Sequence, residues 1–335
     1  MNIYSSVDHK NIDKIIILFN SCYINCSRKN DLKFFLLVDK IPDDIPYIPS
    51  YMKDLITIKE VSYDKEWKEL LMSFNEYFYK RSNWCNNDMN FARFLFFITF
   101  PEVDRAVYLD WDMIVQKDIY KLEESYNNYD NLVVADCNKQ LLLSNIFIRE
   151  FMYSHSYISL FKKNKLQHHK VNNILKLLEI PYKDIEKLNG FNAGFYIVSK
   201  THFDEYFMKT FIMKLINIQK KLSCFNFGTQ VVMNLLCINN RTWVDKNWNC
   251  LPKLDIINKL SIIHWNGKDK PWKNNKLEEN KIWWSYCLQI YPDFKPLNIK
   301  VVKNNTDDNS ITKISNSNDN KRKISNNLLK ILINK

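Results

Sequence analysis

The chain has 335 residues, 46% hydrophobic and 14% aromatic, enough to bury a large core in one large domain or two small ones. Its eight cysteines include no CxxC pair, so neither a zinc site nor a disulfide framework is indicated, and buried reduced thiols in a cytoplasmic protein are expected. The net charge is +11; residues 304–335 contribute +3, which leaves +8 spread over the rest, as suits an anionic ligand or a solvated lysine-rich exterior.

The N-terminus MNIYSSVDHKNIDK lacks the apolar core of a signal peptide, and no stretch approaches the length of a membrane span. NIYSSVD (2–8) reads as a strand running into a polar loop, IDKIIILFNSCYIN (12–25) as a helix and LKFFLLVD (32–39) as a second strand. After the proline-punctuated IPDDIPYIPS come LITIKEVSY (55–63) as strand, WKELLMSFNEYFYK (67–80) and MNFARFLFFITF (89–100) as helical, and RAVYLDWDMIV (105–115) as one strand. This alternation predicts βα units on a largely parallel sheet, whose ligands bind beyond the carboxyl ends of the strands. The 107–115 stretch carries Asp110 and Asp112 there. In an extended strand the two acids share a face and Trp111 points away; they read either as solvated strand-end acids or as a metal site.

NLVVADCN (131–138) reads as a short buried strand ending in Asp136, and a lysine-rich helical stretch follows from about 141 to 188. FNAGFYIVS (191–199) is strand-like, TQVVMNLLCI (229–238) a short helix, TWVDKNWN (242–249) an edge element and LSIIHW (260–265) a last strand. Past residue 303 the composition is that of a disordered tail. Only four glycines occur, at 190, 194, 228 and 267, each in or beside a segment with polar groups suited to a ligand. In HWNGKDKPW (264–272), His264 follows an apolar strand; an imidazole can complete a carboxylate site for a borderline cation such as Mn²⁺.

VYLDWDMIV, GFNAGFYIVS, the GTQVVMN helix and IIHWNGKDKPW, in this order and at these separations, resemble the family 8 retaining glycosyltransferases. That group includes the lipopolysaccharide galactosyltransferases and glycogenin, and the resemblance spans about residues 2–272. It implies an α/β fold of the GT-A nucleotide-diphospho-sugar transferase type, a mixed, mostly parallel sheet flanked by helices. Residues 1–300 would form this domain and 301–335 a basic, flexible tail able to touch an anionic membrane.

Carried over by position, the resemblance implies that Asp110, Asp112 and His264 bind Mn²⁺, or Mg²⁺, bridging the diphosphate of a UDP-sugar. Asp8 and His9 lie in the uridine loop and Arg93 contacts the donor. Trp111 and Ala193 are further substrate-binding residues, and Gly267 and Lys270 hold phosphates. Asp136 and Asn192 grip the sugar hydroxyls and, with Gln230 near the anomeric carbon, form the catalytic set. The pattern departs at TQVVMN: Thr229 and Val231 flank Gln230 where the family often has acids, which bears on donor preference and rate.

The implied activity is hexosyl transfer, glucose or galactose, from a UDP-sugar to a glycan, lipid or protein acceptor, with no nucleic-acid partner. A nucleotide-sugar binder of the same fold with weak catalysis and a nucleotidyltransferase are the alternatives. The sugar, acceptor, linkage and oligomeric state are not encoded in any recognisable motif.

Overall fold

The computed structural model describes residues 1–78, 88–126, 132–135, 141–142, 176–177, 179, 189–222, 229–237, 240–252, 254–267 and 269–296. Strands β1 (Asn2–Val7), β2 (Lys33–Val38) and β3 (Ile56–Glu60) follow one another in parallel, and β1 also pairs in parallel with β4 (Arg105–Leu109). The apolar run FFLLV of β2 is buried at every position, as a strand covered on both faces requires. Helix Ile12–Asn25, bounded as its sequence pattern predicts, carries the chain from β1 toward β2 and buries nine of its residues, Ile12 and Ile15 through Cys22.

RAVYLDWDMIV is not one strand. After β4 the chain turns at Trp111 and Asp112, and Met113–Val115 form a separate strand, β5. The physical cause is a change of partner. β5 leaves the main sheet to pair antiparallel with β11 (Ile262–His264), while β4 pairs with β9 (Phe195–Ser199). Between them come β6 (Leu132–Val134), β7 (Leu141–Leu142), β8 (Asn189–Gly190) and, after β9, β10 (Arg241–Trp243). The main sheet has the order β10-β6-β9-β4-β1-β2-β3, parallel except for β9, which runs antiparallel to both β4 and β6.

MNFARFLFFITF is helical only in pieces: Met89–Ala92 and Phe96–Thr99 are single α-turns joined by a 3-10 turn at Arg93–Leu95. Its apolar side chains are core, with Phe91, Phe94 and Phe96 fully buried. The predicted strand 191–199 begins only at Phe195, because residues 191–194 form the polar turn described below. Leu141–Leu142 pair as a strand with Asn189–Gly190 where a helix was expected; nearly all of 143–188 and the tail from 297 onward lie outside the described residues.

The chain divides into two units. The first comprises Met1–Leu251 and Asn258–His264 and contains the sheet. The second comprises Pro252–Ile257 and Trp265–Lys335. Within it, helix Lys281–Ile290 buries Trp283, Trp284 and Tyr286, Trp272 and Trp283 lie 5.6 Å apart, and Trp265 Nε1 donates to Asn280 Oδ1 at 2.8 Å. Cys22, Cys26, Cys237, Cys250 and Cys287 are buried. Among the described residues no helix is long and apolar enough to cross a membrane.

Candidate metal and donor site

The site grows out of the change of partner after β4. Asp110 lies at the carboxyl end of β4, its backbone N–H donating to the Gly194 carbonyl at 2.8 Å, and the turn that follows swings Asp112 inward. The β5–β11 ladder pairs Met113 with His264, so the register of two short apolar strands sets the histidine beside Asp112. Strand alternation is therefore not what brings the acids together: a turn and a second sheet do it.

One carboxylate oxygen from each of Asp110 and Asp112 and one ring nitrogen of His264 lie within 4.8 Å of one another. His264 Nε2 is 3.2 Å from Asp112 Oδ1 and 3.9 Å from Asp110 Oδ2. Asp112 and His264 are 3% and 1% exposed, so water screens them little. Two hard carboxylate oxygens and one imidazole nitrogen are a donor set for a divalent cation of the Mn²⁺ kind, and these residues fit one.

The other oxygen of Asp110 is held from behind. Oδ1 accepts from the Tyr108 hydroxyl at 2.7 Å and from Arg93 Nη2 at 3.3 Å, which leaves Oδ2 facing His264. Arg93 is 5% exposed; its guanidinium lies over the Tyr108 ring at 4.4 Å and donates to the Ala193 carbonyl (2.8 Å) and the Asn90 carbonyl (2.9 Å). Burial works against its charge, but Tyr108 and Asp110 outweigh that and hold it firmly protonated. Burial pushes the phenols of Tyr4, Tyr108 and Tyr196 far up, so each remains a neutral hydroxyl; Tyr4 and Tyr196 share a hydrogen bond of 3.1 Å.

Opposite Asp110 stands the turn Phe191–Gly194. Asn192 Oδ1 accepts from the Gly194 N–H (2.9 Å) and from Asn249 Nδ2 (3.2 Å), while Asn192 Nδ2 donates to Gln230 Oε1 at 3.3 Å. Asn249 Oδ1 in turn lies 2.9 Å from His264 Nδ1. Asn234 clamps the same turn to helix Thr229–Leu236, accepting from the Phe191 N–H and donating to the Phe191 and Gln230 carbonyls. A Cβ on Gly194 would meet His264 Cε1 at 2.5 Å, Asp110 Oδ2 at 2.7 Å and Asn192 Oδ1 at 2.9 Å, so only glycine fits there.

The structure thus brings together Asp110, Asp112, His264, Arg93, Asn192, Ala193 and Gln230. Trp111 is half-buried in the turn between the two acids. Asp8 and His9 lie just past the end of β1, at the same sheet edge as the end of β4; the His9 N–H and ring bind Asp39 at 2.6 and 2.8 Å. Gly267 and Lys270 belong to the second unit, where Gly267 has φ +127° and Lys270 Nζ donates to the Trp265 carbonyl at 3.0 Å. Asp136 lies outside the described residues, as do Gly228 and Lys268. Thr229 is buried, at the first turn of its helix. Sequence reasoning singled out Gly194 among the four glycines but missed Tyr108, Asn234 and Asn249 as parts of the site. Tyr108 was findable, since it lies two residues before Asp110 on the same strand face.

A mostly parallel sheet with one antiparallel strand and a carboxylate–histidine cluster at the strand ends is the GT-A architecture of glycosyltransferases. Residues 2–276 match the family described as "Glycosyl transferase family 8", and the chain belongs to that family. It is similar to the Arabidopsis thaliana protein named "Probable galacturonosyltransferase-like 9", 24% identical over 197 residues. That match covers 56% of this chain and 45% of the relative, so the chain spans less than half of that protein's length. Among solved structures it resembles the galactosyltransferase LgtC in complex with donor and acceptor sugar analogs, with TM-score 0.58 at 13% identity over 87% of this chain and 96% of that one. It also resembles the bifunctional glycosyltransferase WbbM in its apo form, with TM-score 0.50 at 13% identity over 87% of this chain and 51% of that one.

Proposed function

We propose that this family 8 glycosyltransferase is a retaining, metal-dependent enzyme that moves a hexose, glucose or galactose, from a UDP-sugar to a glycan, lipid or protein acceptor. The observation that carries the reading is the convergence of Asp110, Asp112 and His264 within 4.8 Å beside Asn192 and Gln230. When bound there, a divalent cation such as Mn²⁺ supplies positive charge against the charge that builds on the departing diphosphate. The protein's own share is to hold the ligands: Tyr108 and Arg93 fix Asp110, and Asn249 holds His264. Asn192 and Gln230 orient the sugar, Ala193 lines the donor, and the family pattern assigns Asp136 to the sugar hydroxyls. Asp8 and His9 take the uracil, and the family pattern assigns phosphate binding to Gly267 and Lys270.

With Thr229 where many relatives have an acid, same-face attack is the favoured course. The sugar C1–O bond to the β-phosphate breaks, the acceptor oxygen bonds to C1 on that face, and the acceptor's hydroxyl proton passes to a phosphate oxygen of the departing UDP. Trapping a glycosyl-enzyme on Asp136 or another acid would overturn this course.

The donor is tested with a panel of UDP-glucose, UDP-galactose and UDP-galacturonate plus Mn²⁺, read as UDP released and as thermal stabilisation. The uronate is included because the plant relative carries that name. Hexosyl transfer predicts release from one of the first two; stabilisation without release from any of the three would favour a binding protein.

A further inference from the structure

The hydrogen bonds around Asn192 have a direction that can be derived rather than assigned. A backbone N–H can only donate, so the 2.9 Å bond from Gly194 N fixes the facing atom of Asn192 as its carbonyl oxygen, Oδ1. The other end of that amide, Nδ2, is then the donor toward Gln230, which must present its oxygen, Oε1, at 3.3 Å. Asn249 faces two oxygens of Asn192, the side-chain Oδ1 at 3.2 Å and the backbone carbonyl at 3.4 Å, so its near end is the NH₂ and its far end is Oδ1. That oxygen is 2.9 Å from His264 Nδ1, which must therefore carry a hydrogen. One backbone N–H thus sets the orientation of two asparagines, one glutamine and one imidazole. Asn249 and Asn192 are both buried, so water does not offer an easy alternative partner.

We propose that Asn249 and Asn192 form a one-way amide relay that holds His264 as its Nδ1–H tautomer, with Nε2 open toward Asp110 and Asp112, and turns Gln230 so that its NH₂ is the group offered to a donor sugar. The consequence for the metal ligand is preorganisation: in water a free imidazole places its hydrogen on either nitrogen, and here Nδ1 holds one for Asn249, so the nitrogen left to a cation is Nε2. The consequence at Gln230 is chemical. Its carbonyl oxygen is turned to Asn192, so the side chain acts as a hydrogen-bond donor to a sugar oxygen and not as an oxygen nucleophile. Asn249 and Asn192 are positioning residues in this scheme. Its value to catalysis rests on the metal-dependent reading above, whereas the tautomer and the amide directions do not.

The test uses the full chain labelled with ¹⁵N in histidine and treated with chelator, at a pH well above the ordinary imidazole value of about 6.5. Long-range ¹H–¹⁵N correlation reads the tautomer of His264, assigned by its loss in His264→Gln, and Mn²⁺ affinity is read from the electron-spin signal of the free ion. Wild type is expected to carry a hydrogen on Nδ1. Asn249→Asp keeps an oxygen acceptor for that hydrogen but loses the donor to Asn192, so it should keep the hydrogen on Nδ1 and weaken Mn²⁺ less than Asn249→Ala does. Asn249→Ala should move His264 toward Nε2–H and weaken Mn²⁺ about 10–100-fold. Wild-type His264 without a hydrogen on Nδ1, or equal loss of affinity in both variants, overturns the relay. The predicted tautomer pattern in a protein that releases no UDP from any UDP-sugar supports the relay and overturns the donor reading.

Discussion

Adding one methyl group at Gly194 perturbs the centre of the site without removing a polar group. The built Cβ falls 2.5 Å from a His264 ring carbon, 2.7 Å from an Asp110 carboxylate oxygen and 2.9 Å from the Asn192 amide oxygen. Gly194 does not have a left-handed φ, so alanine is not strained by its backbone and the cost is steric. None of the three neighbours can swing clear cheaply: Asp110 is tied to Tyr108, His264 to Asn249, and Asn192 to Gln230. Overpacking of this kind costs about 1–3 kcal/mol. At roughly 2–4 °C per kcal/mol for a domain of this size, the metal-free Tm should fall by about 2–12 °C. Two of the three displaced atoms belong to proposed metal ligands, so Mn²⁺ affinity should fall by about tenfold or more. Differential scanning calorimetry with chelator, and a Mn²⁺ titration, read the two effects separately. Gly194→Ala with wild-type Tm and wild-type Mn²⁺ affinity would refute the packing of this turn against Asp110 and His264.

Tyr108→Phe removes the 2.7 Å bond to Asp110 Oδ1 while keeping the ring under Arg93; it should cost about 1–2 kcal/mol in chemical denaturation and weaken Mn²⁺ by a smaller factor than Gly194→Ala. Lys209 ties Asp64, Glu66 and Glu205 together at 2.7–2.9 Å between helices Lys65–Phe78 and Glu205–Leu222; burial works against the ammonium and the three carboxylates outweigh it, holding its pKa above the ordinary lysine range. These carboxylates are solvent-exposed, so Lys209→Met should lose only about 1 kcal/mol, less at high salt, with UDP release unchanged. Partial burial would raise the Asp39 pKa, but the bonds from the His9 N–H and ring prevail and hold it below the usual carboxylate range. Because the folded value is the lower one, this stabilisation is complete above about pH 4 and is lost as pH falls further. Asp39→Asn should therefore flatten that part of a urea-midpoint profile by a few tenths of a kcal/mol.

What the sequence revealed of the fold follows from patterns that local physics enforces. The apolar run of β2 and the helix Ile12–Asn25 are readable because burial on both faces of a strand, or along one helix, leaves a periodic trace. The break at Trp111–Asp112 is not readable in that way, because VYLDWDMIV is β-prone throughout and the turn is imposed by β11, about 150 residues downstream. The fragmentation of 89–100 has the same origin: its propensity is helical, while packing of its phenylalanines against the sheet decides where each turn ends. In the site, Asp110, Asp112 and His264 were legible from residue type and family order. Asn249 was not, since asparagine is abundant in this chain and its role depends on a contact with His264 across a bridge between Cys250 and Ile263.

The most direct test of the metal-dependent donor site compares wild type with Asp110→Asn, each with Mn²⁺ and with chelator, by UDP released from UDP-glucose and UDP-galactose. The site predicts release in the presence of Mn²⁺ by wild type alone, with chelator or Asp110→Asn each removing it. Unchanged release by Asp110→Asn, or by wild type in chelator, would contradict it.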